Sequence, residues 1–316
     1  MIPARKQEHH GRFMKIKTRR YYIYYALRLA LFLSRLLPLK FLLWAAEGLG
    51  RLAFRFAGKY RDTAVFNLDR VFPDRRGSNV KTAERVFVNF VKNGVEWIKL
   101  LYMKPSGVSG IIEGVRGKEH LDEVMSGGRG AVVLGFHFGN WELLGVGMKV
   151  LGYPGACVVR RIYFEKYDSM IVGMRERFGA RVIYRDESPK KMLAELRQGN
   201  VLGIVPDQDV DSIDGVFVDF FGKPAHTPTA PVKIASTAGT SIVPVFVVRG
   251  DNDKHTIVME KPIRVPEKIR DKDEIRRYTQ QWSDLLEKYA REYPEQWVWV
   301  HKRWKTAPPG EGSPPA

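Results

Sequence analysis

Two hydrophobic periodicities alternate through most of the chain. Between residues 131 and 260, six short runs of nearly contiguous apolar residues (AVVLGF, ACVVRR, RVIYR, VLGIVP, SIVPVFVV and HTIVME) have the length and β-branched content of buried strands. The stretches between them, WELLGVGMKVL, YFEKYDSMIVGMRERFG, SPKKMLAELRQG and PVKIASTAG, space their apolar residues at three or four positions and read as helices. Two longer helical patterns flank this region, NVKTAERVFVNFVKNGVEWIKLLYM upstream and IRRYTQQWSDLLEKYARE downstream. Alternation at these lengths predicts βαβ units and therefore an α/β fold, a single domain with a mainly parallel central sheet flanked by helices. VDFFGKPAHTPTAP, rich in Gly and Pro, reads as a long loop. There is no internal repeat, and neither GxGxxG nor GxxxxGK[ST] occurs.

The first sixty residues follow another pattern. The run YYIYYALRLALFLSRLLPLKFLLWAAEGLGRLAFRFAG is apolar, but Arg28, Arg35 and Lys40 interrupt it. The pieces are shorter than the roughly 18 to 20 nearly uncharged residues of a membrane span. Arg28 and Arg35 are seven apart and share one helical face, and Pro38 separates a second amphipathic stretch at 39–57. One or two helices lying in the membrane interface are expected, with their basic residues at anionic headgroups. The alternatives are a strongly tilted single span with snorkelling arginines and ordinary core helices of a soluble domain. Residues 1–20 are expected to form a mobile basic tail, and TAPPGEGSPPA reads as a disordered Pro/Gly segment.

Composition narrows the partner more than the fold. The 316 residues carry a net charge of +17, of which residues 1–60 supply +11, with thirteen Lys/Arg against Glu8 and Glu47. That concentration beside an apolar segment points to an anionic membrane surface and not to nucleic acid. The single cysteine, Cys157, cannot form an intramolecular disulfide and reads as a small core residue. No Cys/His spacing suggests zinc. The run DQDVDSIDG fails as a calcium loop, because Ser212 stands where Gly is needed and Val218 where Glu is needed. No metal and no cofactor are expected.

The most informative chemistry lies in GAVVLGFHFGNWELLG, residues 130–145. His137 ends a strand-like run and Glu142 opens the next helix, an H-x4-E spacing across a turn at Gly139-Asn140. Such a connection projects side chains into a cleft at the strand's carboxyl end. A neutral imidazole there can take a proton from a hydroxyl or amine, provided a carboxylate orients it and stabilises the imidazolium. On this reading His137 is a general base and Glu142 its partner, with the nucleophile supplied by the substrate. The spacing alone is weak: among seven histidines about 0.4 such pairs arise by chance. A satisfied core histidine and a carboxylate favoured by the helix dipole are the alternatives.

Other charged residues fall where the same sheet would open. Arg160 and Arg161 end the second strand, Arg175 and Arg177 lie on the helix after it, and Asp207 and Asp209 in PDQD directly follow VLGIVP. Phe220 and Phe221 would be costly to expose without a purpose. The terminal WVWVHKRWK gathers Trp297, Trp299, His301, Arg303 and Trp304, either as an edge strand or as a headgroup-level anchor.

Taken in order, the N-terminal apolar segment, RDTAVFNLDRVFPD, HFGNWE, the arginine-bearing helix, PDQD, FFGKPAHTP and the terminal W-x-W-x-H-x-R-W resemble the lysophospholipid acyltransferase superfamily. Within it they are most similar to the late acyltransferases of lipid A biosynthesis and the related mycobacterial phosphatidylinositol mannoside acyltransferases. The resemblance covers roughly residues 20 to 305. It implies transfer of a fatty acyl chain from a thioester, acyl carrier protein or coenzyme A with the former favoured, to a hydroxyl of a membrane glycolipid. His137 would be the base and Glu142 its partner. Substrate contacts would fall on Arg175, Asp207, Gln208, Arg160, Phe221 and Thr227. PDQD stands where glycerolipid relatives usually show PEG, which puts their phosphate-binding assignment in doubt for this chain.

A thioester carbonyl is already activated, so the chemistry needs a deprotonated acceptor and a stabilised oxyanion, not an enzyme nucleophile. The absence of G-x-S-x-G agrees with direct transfer. The FFG loop is expected to line an acyl channel. The chain then divides into a basic tail (1–20), membrane-associating helices (21–58), an acyltransferase domain (59–306) and a disordered tail (307–316). The expected site is the inner membrane, with the catalytic domain on its cytoplasmic face. The alternatives are another lipid acceptor, a thioesterase or other transferase, and a non-catalytic basic membrane-surface protein.

Overall fold

A computed structural model describes residues 21–103 and 105–310. The expected basic tail, and residues 311–316 of the expected C-terminal tail, lie outside the described residues. At the centre of the sheet is β2 (Ala131–Leu134), the AVVL run, buried at every position. On one side it pairs in parallel with β5 (Val201–Ile204), which is followed by β3 (Gly155–Val159) and β4 (Ala180–Tyr184). On the other side lies β8 (Ser241–Arg249), also parallel, then β9 (His255–Met259), with β1 (Ile112–Arg116) at the edge. The resulting order is β1-β9-β8-β2-β5-β3-β4, with the short β10 (Ile263–Arg264) antiparallel to β8. The sheet is thus mostly parallel. β9 runs antiparallel to β8 because residues 250–254 are too few for a crossover, which takes about a dozen residues, and β1, parallel to β9, shares its direction.

Side chains of β2 alternate between two cores. Val132 and Leu134 enter the layer packed by α8 (Pro189–Arg197), α9 (Ala230–Ala238) and α10 (Lys272–Glu292). Ala131 and Val133 enter the layer packed by α5 (Lys118–Ser126), α6 (Glu142–Val150) and α7 (Glu165–Arg177). Helix starts follow local signals. Ser188 caps α8 ahead of Pro189, and the Asp271 carboxylate accepts from the Glu274 N–H at 2.8 Å to begin α10.

The segment expected to be a long loop instead contains a hairpin, β6 (Gly215–Asp219) paired with β7 (Pro224–Pro228). Its Gly and Pro content concealed it. A two-stranded ribbon has only edge strands, so Pro224 and Pro228 are tolerated, and Phe221 and Gly222 take the positive φ values of its tight turn.

Before the sheet come four helices: α1 over residues 21–34, α2 (Leu39–Phe56), α3 (Gly58–Val71) and α4 (Arg76–Leu100). Helix α1 stops before Pro38, and among the described residues no helix is long and apolar enough to cross a membrane. The inner face of α2 packs on α4 so closely that a Cβ on Gly50 would lie 2.4 Å from Val88 Cα. Its outer face leaves Phe41, Trp44, Leu52 and Phe56 exposed, as α1 does Tyr22, Leu29 and Phe32.

Candidate active site

Strand register brings His137 and Asp207 together. In the parallel β2–β5 pair Leu134 lies opposite Ile204, and Gly135 N–H donates to the Ile204 carbonyl at 2.9 Å as both chains leave the sheet. Three residues beyond Leu134 and Ile204 stand His137 and Asp207. Asp207 Oδ1 lies 2.7 Å from His137 Nδ1, while Oδ2 accepts from the His137 backbone N–H at 3.1 Å and from the Trp297 indole N–H at 3.0 Å. The carboxylate side chain is 1% exposed and the imidazole 22%, so solvent or substrate reaches the base but not its partner.

The electrostatics follow from those contacts. Burial opposes the Asp207 charge, yet the His137 ring and the surrounding donors hold its pKa below the ordinary carboxylate range. For His137 burial pushes the pKa down, and the Asp207 charge and hydrogen bond, aided by the Glu142 charge, more than offset it, leaving a raised value. An ionised carboxylate only accepts, so Nδ1 carries the proton of the neutral ring and Nε2 presents the lone pair. Gln208 Nε2 lies 3.5 Å from Nε2, too far for a strong hydrogen bond.

Glu142 opens α6, as its motif suggests, but it faces α7. Arg175 Nη2 donates to Glu142 Oε1 at 2.8 Å and Arg175 Nε to Oε2 at 3.3 Å. The expectation that Glu142 orients the imidazole directly is therefore corrected. Asp207 occupies Nδ1, and Glu142 is turned toward the guanidinium and acts on His137 through its charge. Glu142 and Arg175 line an apolar cavity with Val133, Met148, Met174 and Phe178. Trp141 lines the same cavity and lies edge-on to the His137 ring, 5.2 Å between centroids, so the cavity adjoins the base. Cys157, expected in the core, is half-buried on its wall, and burial pushes the thiol pKa up, away from the nucleophilic thiolate.

Other expected substrate contacts lie apart from this centre. Arg160 is exposed after β3, its guanidinium 6.0 Å from the Tyr163 ring centroid. Phe221 is buried at the hairpin turn against Phe72, Phe220 and Trp299, so the FFG segment packs into an aromatic core away from the cavity lining. The Thr227 hydroxyl is also internal, donating to the Ala225 carbonyl at 2.9 Å and accepting from Arg303 Nη2 at 2.5 Å.

The terminal tryptophan run is neither an edge strand nor an exposed anchor. Trp297, Trp299 and Trp304 are buried, and Trp297 forms a single bridge to Phe138. Sequence reasoning gathered Trp297 and His301 at the opening of the sheet but did not pair them with PDQD. His301 Nε2 accepts the Asp209 N–H at 2.8 Å, and burial pushes its pKa down to about 4, so it packs beside the dyad as a neutral ring. Only the tertiary contact of this run with PDQD reveals that role.

Comparison with known proteins identifies the family. The profile of the bacterial lipid A biosynthesis acyltransferase family matches residues 10–306. The lipid A biosynthesis lauroyltransferase of Escherichia coli K12 is 29% identical over 272 residues, 83% of this chain and 85% of that protein. The myristoyltransferase of the same organism is 25% identical over 268 residues, 84% of this chain and 81% of that protein. The phosphatidylinositol mannoside acyltransferase of Mycobacterium tuberculosis H37Rv is 31% identical over 134 residues, covering 41% of this chain and 42% of that protein. With the family profile matching nearly its whole length, the chain belongs to the bacterial lipid A biosynthesis acyltransferase family and is an acyltransferase.

Proposed function

We propose that the protein transfers a fatty acyl chain from a thioester to a hydroxyl of a membrane glycolipid, with His137 as general base. The observation that carries this reading is the Asp207–Nδ1 contact, which leaves the Nε2 lone pair available beside an apolar cavity. Nε2 takes the hydroxyl proton as the oxygen attacks the thioester carbonyl carbon. The tetrahedral oxyanion collapses, the C–S bond breaks, and the departing thiolate receives the proton from the imidazolium. Asp207 stabilises the imidazolium throughout. No acyl-enzyme forms.

Glu142 holds Arg175 as a fixed cation at the cavity, suited to the oxyanion or to a lipid phosphate. The cavity takes the acyl chain. Acyl carrier protein is favoured over coenzyme A as donor because its acidic surface suits a chain of +17 net charge. A lipid A precursor is the favoured acceptor on the relatives' printed names, and a phosphatidylinositol mannoside is the second.

The same reading places α1 and α2 in the interface of the inner membrane, with the catalytic domain on the cytoplasmic side. Leu36, Trp44 and Phe56 are 76%, 73% and 75% exposed, a cost that lipid contact would remove, and Arg28, Arg35, Lys40 and Arg55 flank them.

The test is product analysis with labelled acyl carrier protein thioester, with and without a lipid A precursor. Labelled acyl glycolipid should appear only with the acceptor, and without it neither labelled protein nor free fatty acid should accumulate. Release of fatty acid as the main product would assign a thioesterase instead. Transfer confined to a phosphatidylinositol mannoside would move the acceptor.

A further inference from the structure

Behind the HFGN turn lies a buried ion cluster that the dyad does not use. Glu96 of α4 and Arg249 at the end of β8 have side chains 0% and 5% exposed, joined by hydrogen bonds of 2.7 and 2.8 Å. Buried His255 on β9 lies 3.0 Å from Glu96 Oε2, and Asp253, paired to Lys92, closes the outer side of Arg249. Charges this deep add little to stability, because desolvation cancels most of their attraction. Their arrangement is more informative than their number.

Most of the remaining contacts converge on the turn that carries the base. Asn140 Nδ2 donates to Glu96 Oε2 at 2.6 Å. Arg249 Nη2 donates to Asn93 Oδ1 at 2.7 Å, and Asn93 Nδ2 in turn donates to the Gly139 carbonyl at 2.6 Å. Gly139 N–H donates to the Gln296 carbonyl at 2.9 Å, while the Gln296 amide brackets the Arg249 backbone with two contacts of 2.8 Å. Position 139 takes only glycine: at φ +53° an added Cβ would lie 1.7 Å from the Val247 carbonyl oxygen.

We propose that Glu96 and Arg249 are positioning residues for acyl transfer: through Asn140 and Asn93 they set the turn 137–140, and with it the angle at which the His137 ring meets Asp207. The proposal rests on the assignment of His137 as base. Glu96 stays ionised at any pH at which the imidazole base is neutral. Burial would raise the Glu96 pKa, but His255 and Arg249 bring it down to about 2, and burial pushes His255 down toward neutrality. A turn held from behind by the buried Glu96–Arg249 pair and from in front by Asp207 keeps the imidazole within the small angular error that general-base catalysis tolerates.

The test cuts single links and leaves the ion pair whole. In the full-length protein, Asn140→Ala and Asn93→Ala should each lower kcat by about 10- to 100-fold. The KM values for donor and acceptor should stay within about twofold. The basic rise of kcat/KM should also move to lower pH, because a loosened Asp207 contact no longer raises the His137 pKa. Thermal midpoints measured in parallel separate this from loss of fold. If either alanine variant fails to fold, Asn140→Ser or Asn93→Ser, whose hydroxyls sit too close to the backbone to reach the Asn acceptors but leave a polar group in place, cut the same link on folded protein. Folded variants with unchanged kcat and unchanged pH profile would overturn the proposal, as would a kcat loss without any pH shift. His137→Ala is the control. If it is active the base assignment itself fails; if it is inactive while Asn140→Ala is fully active, only the positioning role is lost.

Discussion

Asp207 binds His137 twice, at the ring Nδ1 and at the backbone N–H, although the two are 70 positions apart in sequence. One carboxylate therefore sets both the tautomer of the imidazole and the position of the backbone that carries it. The pH dependence follows. On the proposed mechanism His137 works when neutral, and its pKa is raised, so kcat/KM should rise with pH through a value above the ordinary imidazole range.

Asp207→Asn removes the carboxylate that raises this pKa. The rise should move to lower pH while the plateau falls by roughly 100- to 10,000-fold, as when the orienting carboxylate of a triad is lost. Rate profiles of the two proteins check both effects. A smaller plateau with an unmoved rise would mean that Asp207 does not face the titrating base.

Glu142→Gln separates the second carboxylate from the first. Gln can still accept from Arg175 but carries no charge, so turnover should fall at least about 10-fold. The pH rise should shift less than in Asp207→Asn, because Glu142 reaches His137 only through its charge. Side chains of the Glu142–Arg175 pair are only 21% and 23% exposed, so leaving Arg175 without its counter-charge should also lower the thermal midpoint. An equal pH shift in the two variants would make Glu142 a direct partner of the ring.

The cavity and the FFG turn predict opposite phenotypes. A Cβ on Gly203 would make only ordinary contacts, 3.7 Å or more from its neighbours, and Gly203 lines the cavity, so Gly203→Leu is the substitution expected to narrow it. Donor preference should move toward shorter acyl chains. Phe221→Ala should instead cost about 3 kcal/mol of stability by emptying an aromatic core, with chain preference unchanged. A competition assay with donors of several lengths, paired with thermal melts, distinguishes the two.

Trp44 and Phe56 test the interfacial helices. Trp44→Glu with Phe56→Glu should weaken binding to vesicles containing anionic lipid by about 10-fold or more. Turnover on detergent-dispersed substrates should be preserved. Equal vesicle binding would place the lipid contact elsewhere.

The strands whose apolar runs are continuous, such as β2 and β8, were legible in the sequence because a strand buried on both faces needs no alternation. His137 and Asp207 were legible as strand-end residues. Their pairing was not, because it depends on β5 lying beside β2, and strand order is a property of tertiary packing. Glu142 shows the limit of spacing arguments: a first-turn helical carboxylate five residues after the histidine was placed near the ring, yet helix rotation aimed it at Arg175. The β6–β7 hairpin was hidden by Pro224 and Pro228, residues that argue against a central strand but not against a ribbon. Burial of the terminal tryptophans was hidden because Trp297 finds its polar partner, Asp207, on another element.

The most direct measurement is the rate of labelled acyl transfer from acyl carrier protein to a lipid A precursor, native protein against His137→Ala, both folded and at saturating substrate. Loss of at least about 100-fold in turnover, with thermal midpoint and vesicle binding retained, is the predicted result. Near-native turnover in His137→Ala would contradict the account, because no other described residue combines an available imidazole lone pair, a buried carboxylate partner and a place beside the apolar cavity.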